Sequence, residues 1–196
     1  MAPILGIIAS GNYAGANASS YESIATTTVG SGGASSITFS SIPSTYKHLQ
    51  IRFIARNDVG GIAYGQIVSA QFNSDTGSNY YSRHSLDGRG DGLVYAGNDS
   101  TATYVSIGFV LGDSGTANTF SPSVVDILDY TSTNKHKTVR FLTGVAGQTT
   151  NTNNDMVLGS GLWKPSTDAA ITDIVIKTGS ANFKQYSHFA LYGIKG

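Results

Sequence analysis

The chain has 196 residues, of which only 12% are charged. Twelve Lys and Arg balance twelve Asp and Glu, and the longest basic run is Lys135–Lys137. It therefore lacks the basic face with which nucleic-acid binders neutralise phosphates. The absence of cysteine excludes disulfides and thiolate metal sites, and leans toward assembly in a reducing cytoplasm. Polar positions carry Gly, Ser, Thr and Asn, with Glu only at Glu22, while apolar residues reach 40%. Helix surfaces favour Glu, Lys and Gln and disordered chains lack apolar residues, so this composition is all-β.

In chain order, MAPILGIIASG comes first. No Lys or Arg precedes Lys47, and the apolar stretch from Ile4 to Ala9 is broken by Gly6. It is neither a secretory signal nor long enough to span a bilayer, so no membrane insertion is expected. Residues 1–20 predict either a first strand or an N-terminal arm. In the arm, Ile4, Leu5, Ile7 and Ile8 anchor the protein to a partner, and NYAGANASS, read as a flexible link, favours it. Residues 21–196 predict one β domain. Two strands flank the Gly-Ser turn at 30–33, with Pro43 closing the second and a short 3₁₀ piece near Pro43–Tyr46.

The clearest strand is HLQIRFIARN, 48–57. Leu49, Ile51, Phe53 and Ala55 face one way, and His48, Gln50, Arg52 and Arg56 the other, with Ile54 breaking the period of two. Further strands are predicted at 68–73, 102–111, 123–130, 137–146, 155–163, 171–178 and 187–195. Polar turns separate them, among them LDGRGDG, and GQTTNTNN is the best exposed loop. About ten short strands on this spacing predict a single antiparallel β-sandwich of jelly-roll type.

Chemistry-bearing motifs are sparse. Arg89-Gly90-Asp91 reads as a tight turn, because a calcium loop would need an oxygen ligand where Arg89 stands and a Glu downstream. Asp126 and Asp129 are three apart in a strand region and face opposite sides; Asp126 suits a cross-strand pair with Arg140 or His136. The four histidines are scattered and no G-x-S-x-G elbow occurs, so no catalytic residue, metal ligand or cofactor is assigned. Trp163, at a strand end, either packs under a loop at the sandwich rim, the preferred reading, or joins Tyr80, Tyr81, Tyr95 and Tyr104 as a platform for sugar rings.

Two stretches carry a likeness that extends along nearly the whole chain. The ending NFKQYSHFALYGIKG, with its F-x-L-Y-G-I strand, and the opening MAPILGIIASG followed by SYESIATTTVGSGGASSITFSSIPSTYKHLQIR resemble small virion structural proteins of tailed bacteriophages. FNSDTGSNYYSRH, DILDYTSTNKHKTVR and GLWKPSTDAAIT follow the same general pattern. The resemblance implies a tail-fibre or decoration protein located in the virion and assembled in the cytoplasm of the bacterial host. It carries no catalytic motif. Low charge and Tyr-rich strands suit a protein that packs against copies and partners. The expectation is a non-enzymatic tail-fibre or adhesion component, a homo-oligomer such as a trimer, contacting other virion proteins and host surface polysaccharide. The alternative is a capsid decoration protein, cement or head fibre, and a polysaccharide-degrading enzyme comes last.

Overall fold

The computed structural model describes residues 20–60, 66–87, 95–145 and 155–196. Two antiparallel sheets pack face to face, and neither closes into a barrel. The larger has eight strands, in the order β1 (Tyr21–Thr28), β12 (His188–Ile194), β3 (His48–Ala55), β8 (Ser121–Ile127), β9 (Lys137–Val145), β10 (Asp155–Trp163), β5 (Tyr80–Asp87) and β6 (Tyr95–Ala102). The smaller has four, in the order β2 (Ile37–Phe39), β11 (Ile174–Lys177), β4 (Gln66–Phe72) and β7 (Val105–Val110).

Alternation puts every second side chain between the sheets. Leu49, Ile51 and Phe53 of β3, Val125 and Ile127 of β8, and Val139 and Phe141 of β9 meet Val68, Ala70 and Phe72 of β4, Ile107 of β7, and Ile174 and Ile176 of β11. Each large side chain so buried contributes about 1.5–3 kcal/mol. Close approach of the layers depends on the inward-facing Gly161 of β10, where a Cβ would stand 2.1 Å from Val105 Cγ2 on the other sheet. A Cβ on Gly159 would stand 2.2 Å from the ring of Phe141, its partner on β9 in the same sheet, which lies over it. Lys137 also points inward at the start of β9, where its Nζ donates to the carbonyls of Ser132 (2.7 Å) and Lys135 (2.6 Å). Burial pushes its pKa down, since the charged form loses hydration.

Several sequence expectations are corrected. The two strands expected around the turn at 30–33 are present as β1 and β2, and they lie in different sheets, so that turn carries the chain across the layers. The run 102–111 is two elements: Ala102 ends β6 in the large sheet, and β7 begins in the small one at Val105. β5 and β6 were not expected, because Ser82 and His84 occupy inward positions where the pattern called for large apolar residues. Residues 43–46 contain bends and no helix. Arg56, expected to face solvent, is buried at the end of β3. Ile54 does break the period, on the exposed face. The Arg89-Gly90-Asp91 turn and residues 147–154 lie outside the described residues.

Candidate functional site

Of the two readings of Trp163, the structure agrees with the preferred one, packing at the rim of the sheets, and buried Trp163 and Tyr80 offer no platform for a sugar. Trp163 is buried, its ring 6.3 Å from that of Tyr80 in a stacked arrangement and 5.6 Å from that of Phe72. Its Nε1 donates to Asp75 Oδ2 at 2.7 Å. Tyr80 is equally buried; its hydroxyl accepts from the Phe72 amide (3.0 Å) and donates to the Asp75 carbonyl (3.1 Å), and burial pushes the phenol up to about 12. Both rings are core, and they stand at the end of the sheet where β1 begins. Tyr81 and Tyr104 are half-buried on separate sheets' strands and approaches. Tyr95 opens β6 opposite Leu86, and its side chain is outside the described set, as are Ile4, Leu5, Ile7 and Ile8 of the arm.

Asp126 does pair across the β8–β9 hairpin, with Arg140, whereas His136 bonds Asp168 at 2.8 Å. The other histidines are dispersed. His48 accepts the Asp129 amide, His188 bonds Thr28, and His84 packs edge-on against Phe109.

The opposite end of the molecule holds a cleft of about 250 Å³ between the β7–β8 and β11–β12 connections. Arg56 builds it. Its guanidinium donates to the carbonyls of Asp113 (3.0 Å), Gly115 (2.9 Å), Thr119 (3.1 Å) and Thr116, fixing the first connection. Its backbone exchanges hydrogen bonds with Ser187 Oγ and accepts from the Lys184 amide, fixing the second. Asp58 adds a brace by accepting from the Asn182 amide and side chain, and these bonds lower its carboxyl below the usual value, the backbone one foremost. Lys184 Nζ donates to Asp113 Oδ1, neutralising the carboxylate at the cleft wall.

Tyr186 projects from this rim and is 70% exposed. Its φ of 72° lies in the left-handed region, which costs a non-glycine residue about 1–3 kcal/mol unless the surroundings impose it. They do here: its amide donates to the Val29 carbonyl, and the next amide, Ser187, donates back to Lys184. Asn118, across the cleft, is also left-handed at φ 59°. The sequence carried little warning of this site. Tyr186 sits in the polar run KQYSH, which carries no motif, and Arg56 reads as the polar end of an alternating strand.

A second surface feature covers the outer face of the large sheet. Val124, Leu142 and Leu158 stand directly opposite one another on β8, β9 and β10. Leu142 and Leu158 are 51% and 55% exposed. One row toward the cleft, Ile54 faces Pro122, and Met156 follows beyond Gly144. These six exposed apolar side chains form a continuous stripe over four adjacent strands, about 14 Å across at ~4.8 Å per strand.

Comparison with protein-family models, with curated proteins and with solved structures finds no match for this chain.

Proposed function

We propose that this protein is a non-enzymatic structural component of a tailed-phage particle, a small tail-fibre or adhesion protein that contacts the host surface. The proposal includes a jelly-roll sandwich. Its support is a nested set of antiparallel pairs: β1 with β12, β2 with β11, β3 with β8 and β4 with β7. That nesting is one long hairpin rolled up as two four-stranded sheets, with β9, β10, β5 and β6 extending one of them.

The observation that carries the reading is polarity. The chain enters the sheet at Ser20 and Tyr21, opposite Ile194, and the Tyr186 cleft lies beyond the other end of β1, beside Val29. Eight residues of strand separate the two, roughly 25 Å. In this account, Ile4, Leu5, Ile7 and Ile8 fasten one end to a virion partner, leaving the other end free for host polysaccharide. The outer-face stripe packs against a second copy or a neighbouring virion subunit, since a continuous apolar surface of this kind marks an interaction site. No cofactor, nucleic acid or membrane insertion enters the account, and assembly takes place in the bacterial cytoplasm.

The stripe also favours a second reading, a decoration protein lying flat on the head. Immunogold labelling of particles from the producing strain with antibody to the purified chain separates the two. Gold at the tail supports the first reading, gold on the head replaces it with the second, and unlabelled particles overturn both.

A further inference from the structure

We infer that the cleft beside Tyr186 is a binding site for a neutral or N-acetylated hexopyranose; the inference rests on the host-contact reading above and gives it a ligand class. The groups that line the cleft set that class. Tyr186 offers an exposed ring, and apolar ring faces stack well on flat, partly apolar partners. The side-chain amides of Asn118 and Gln185 make no hydrogen bond among the described residues, and neither does Asp113 Oδ2. Each amide has two donors and one acceptor, which matches neighbouring sugar hydroxyls that both give and take.

The cations of the cleft are already used. The Arg56 guanidinium has four of its donors on carbonyls and Lys184 is paired with Asp113, so a phosphate or sulfate would meet few free charge-assisted donors and the Asp113 carboxylate beside them. The size also fits. A cleft of about 250 Å³ has room for roughly eight waters' share of liquid volume, on the order of one sugar ring. Finally, the backbone that carries the amides and the ring is held before anything binds, by Arg56 on the first connection and by the bonds from the Tyr186 and Ser187 amides on the second, so little backbone ordering remains to be lost on binding.

The test applies the full chain to a printed array of neutral, N-acetylated and acidic bacterial oligosaccharides and, in parallel, to cells of the producing strain. Variants are Tyr186→Gly, which removes the ring and relaxes the backbone, Tyr186→Phe, which keeps the ring, and the pair Asn118→Ala with Gln185→Ala. The expected result is retention on neutral or N-acetylated spots. Tyr186→Gly and the amide pair should weaken it at least tenfold and Tyr186→Phe less than about threefold, with every variant still folded well above the assay temperature. Retention that survives Tyr186→Gly and the amide pair overturns the site but leaves host contact standing. Binding to cells without binding to any sugar, or only to acidic ones, overturns the ligand class. Binding to neither overturns the host-contact reading along with the inference.

Discussion

Arg140 Nη2 donates to Asp126 Oδ2 at 2.8 Å, and the two residues stand directly opposite each other in the β8–β9 register. The bond belongs to a polar row: Gln50 Nε2 donates to Asp126 Oδ1 at 2.8 Å, and Arg52 Nε donates to Gln50 Oε1 at 2.6 Å. This row borders the apolar stripe on the side away from the cleft. The outer face of one sheet is thus split into a charged band and an apolar band, each crossing several strands.

Acid should weaken the fold partly through Asp126. Burial raises its carboxyl, but the bonds from Gln50 and Arg140 outweigh this and hold it below the ordinary 3.8. A lowered folded value means that the unfolded chain takes up the proton first, so the contribution is fully present well above pH 3.8. It is lost as pH falls through 3.8 toward the folded value. In urea titrations between pH 6 and pH 3, Asp126→Asn should lower stability at pH 6 and show a shallower decline than the parent. An equal decline would remove Asp126 from the acid response.

The stripe should matter for assembly and not for folding. Leu142 and Leu158 are more than half exposed, and surface substitutions of this kind usually change stability by less than about 0.5 kcal/mol. The double variant Leu142→Lys, Leu158→Glu, an opposite-charge cross-strand pair, should keep the parent melting temperature and lose self-association in sedimentation velocity, or incorporation into particles. Unchanged association and incorporation would show that the stripe is not an interface.

Arg56 should be far more costly to remove. Arg56→Ala removes the buried guanidinium and its charge-assisted bonds to four part-buried carbonyls of the 113–119 connection, and a loss on the order of 3 kcal/mol is expected. For a chain of this length that is a melting-temperature drop of about 6–12 °C. Arg56→Lys should not restore it, since three donors at one point cannot span four carbonyls. Calorimetry on both variants checks this.

Gly161→Ala should destabilise by about 1–3 kcal/mol, because the new methyl group meets Val105 at the interface of the two sheets. Val105→Ala in the same chain should recover part of the loss by making room. A neutral Gly161→Ala in denaturant titration would mean that the sheets can move apart freely.

How much of this was legible in the sequence follows from which signals are local. The inward sets of β3, β8 and β9 repeat every two residues with large apolar side chains, so their strands and faces could be read directly. The Asp126–Arg140 pair was legible because β8 and β9 are consecutive strands that pair as a hairpin, which limits the partners Asp126 can face. β5 escaped because Ser82 and His84 fill inward positions, small and polar where the sheets come close. Packing of Trp163 at the rim is legible from its place at a strand end, but its partners are not: Asp75 and Phe72 come from a stretch far away in the chain, and the same two residues hold the hydroxyl of Tyr80 in the core. The cleft was illegible for the same reason. It joins Arg56, Asp113, Asn118 and Tyr186 from three separated segments, and only the strand pairing brings them to one end.

The central claim is a polarised virion component, fastened at its arm end, with an apolar outer face against a neighbour and the Tyr186 end free. A cryo-electron-microscopy map of the intact particle with this chain placed in it tests that most directly. The account predicts the chain on the tail, residues 1–20 held by another virion protein, Val124, Leu142 and Leu158 covered by a neighbouring subunit, and Tyr186 facing outward. A chain lying on the capsid with the Tyr186 end buried, or one whose outer face is bare to solvent, would contradict it.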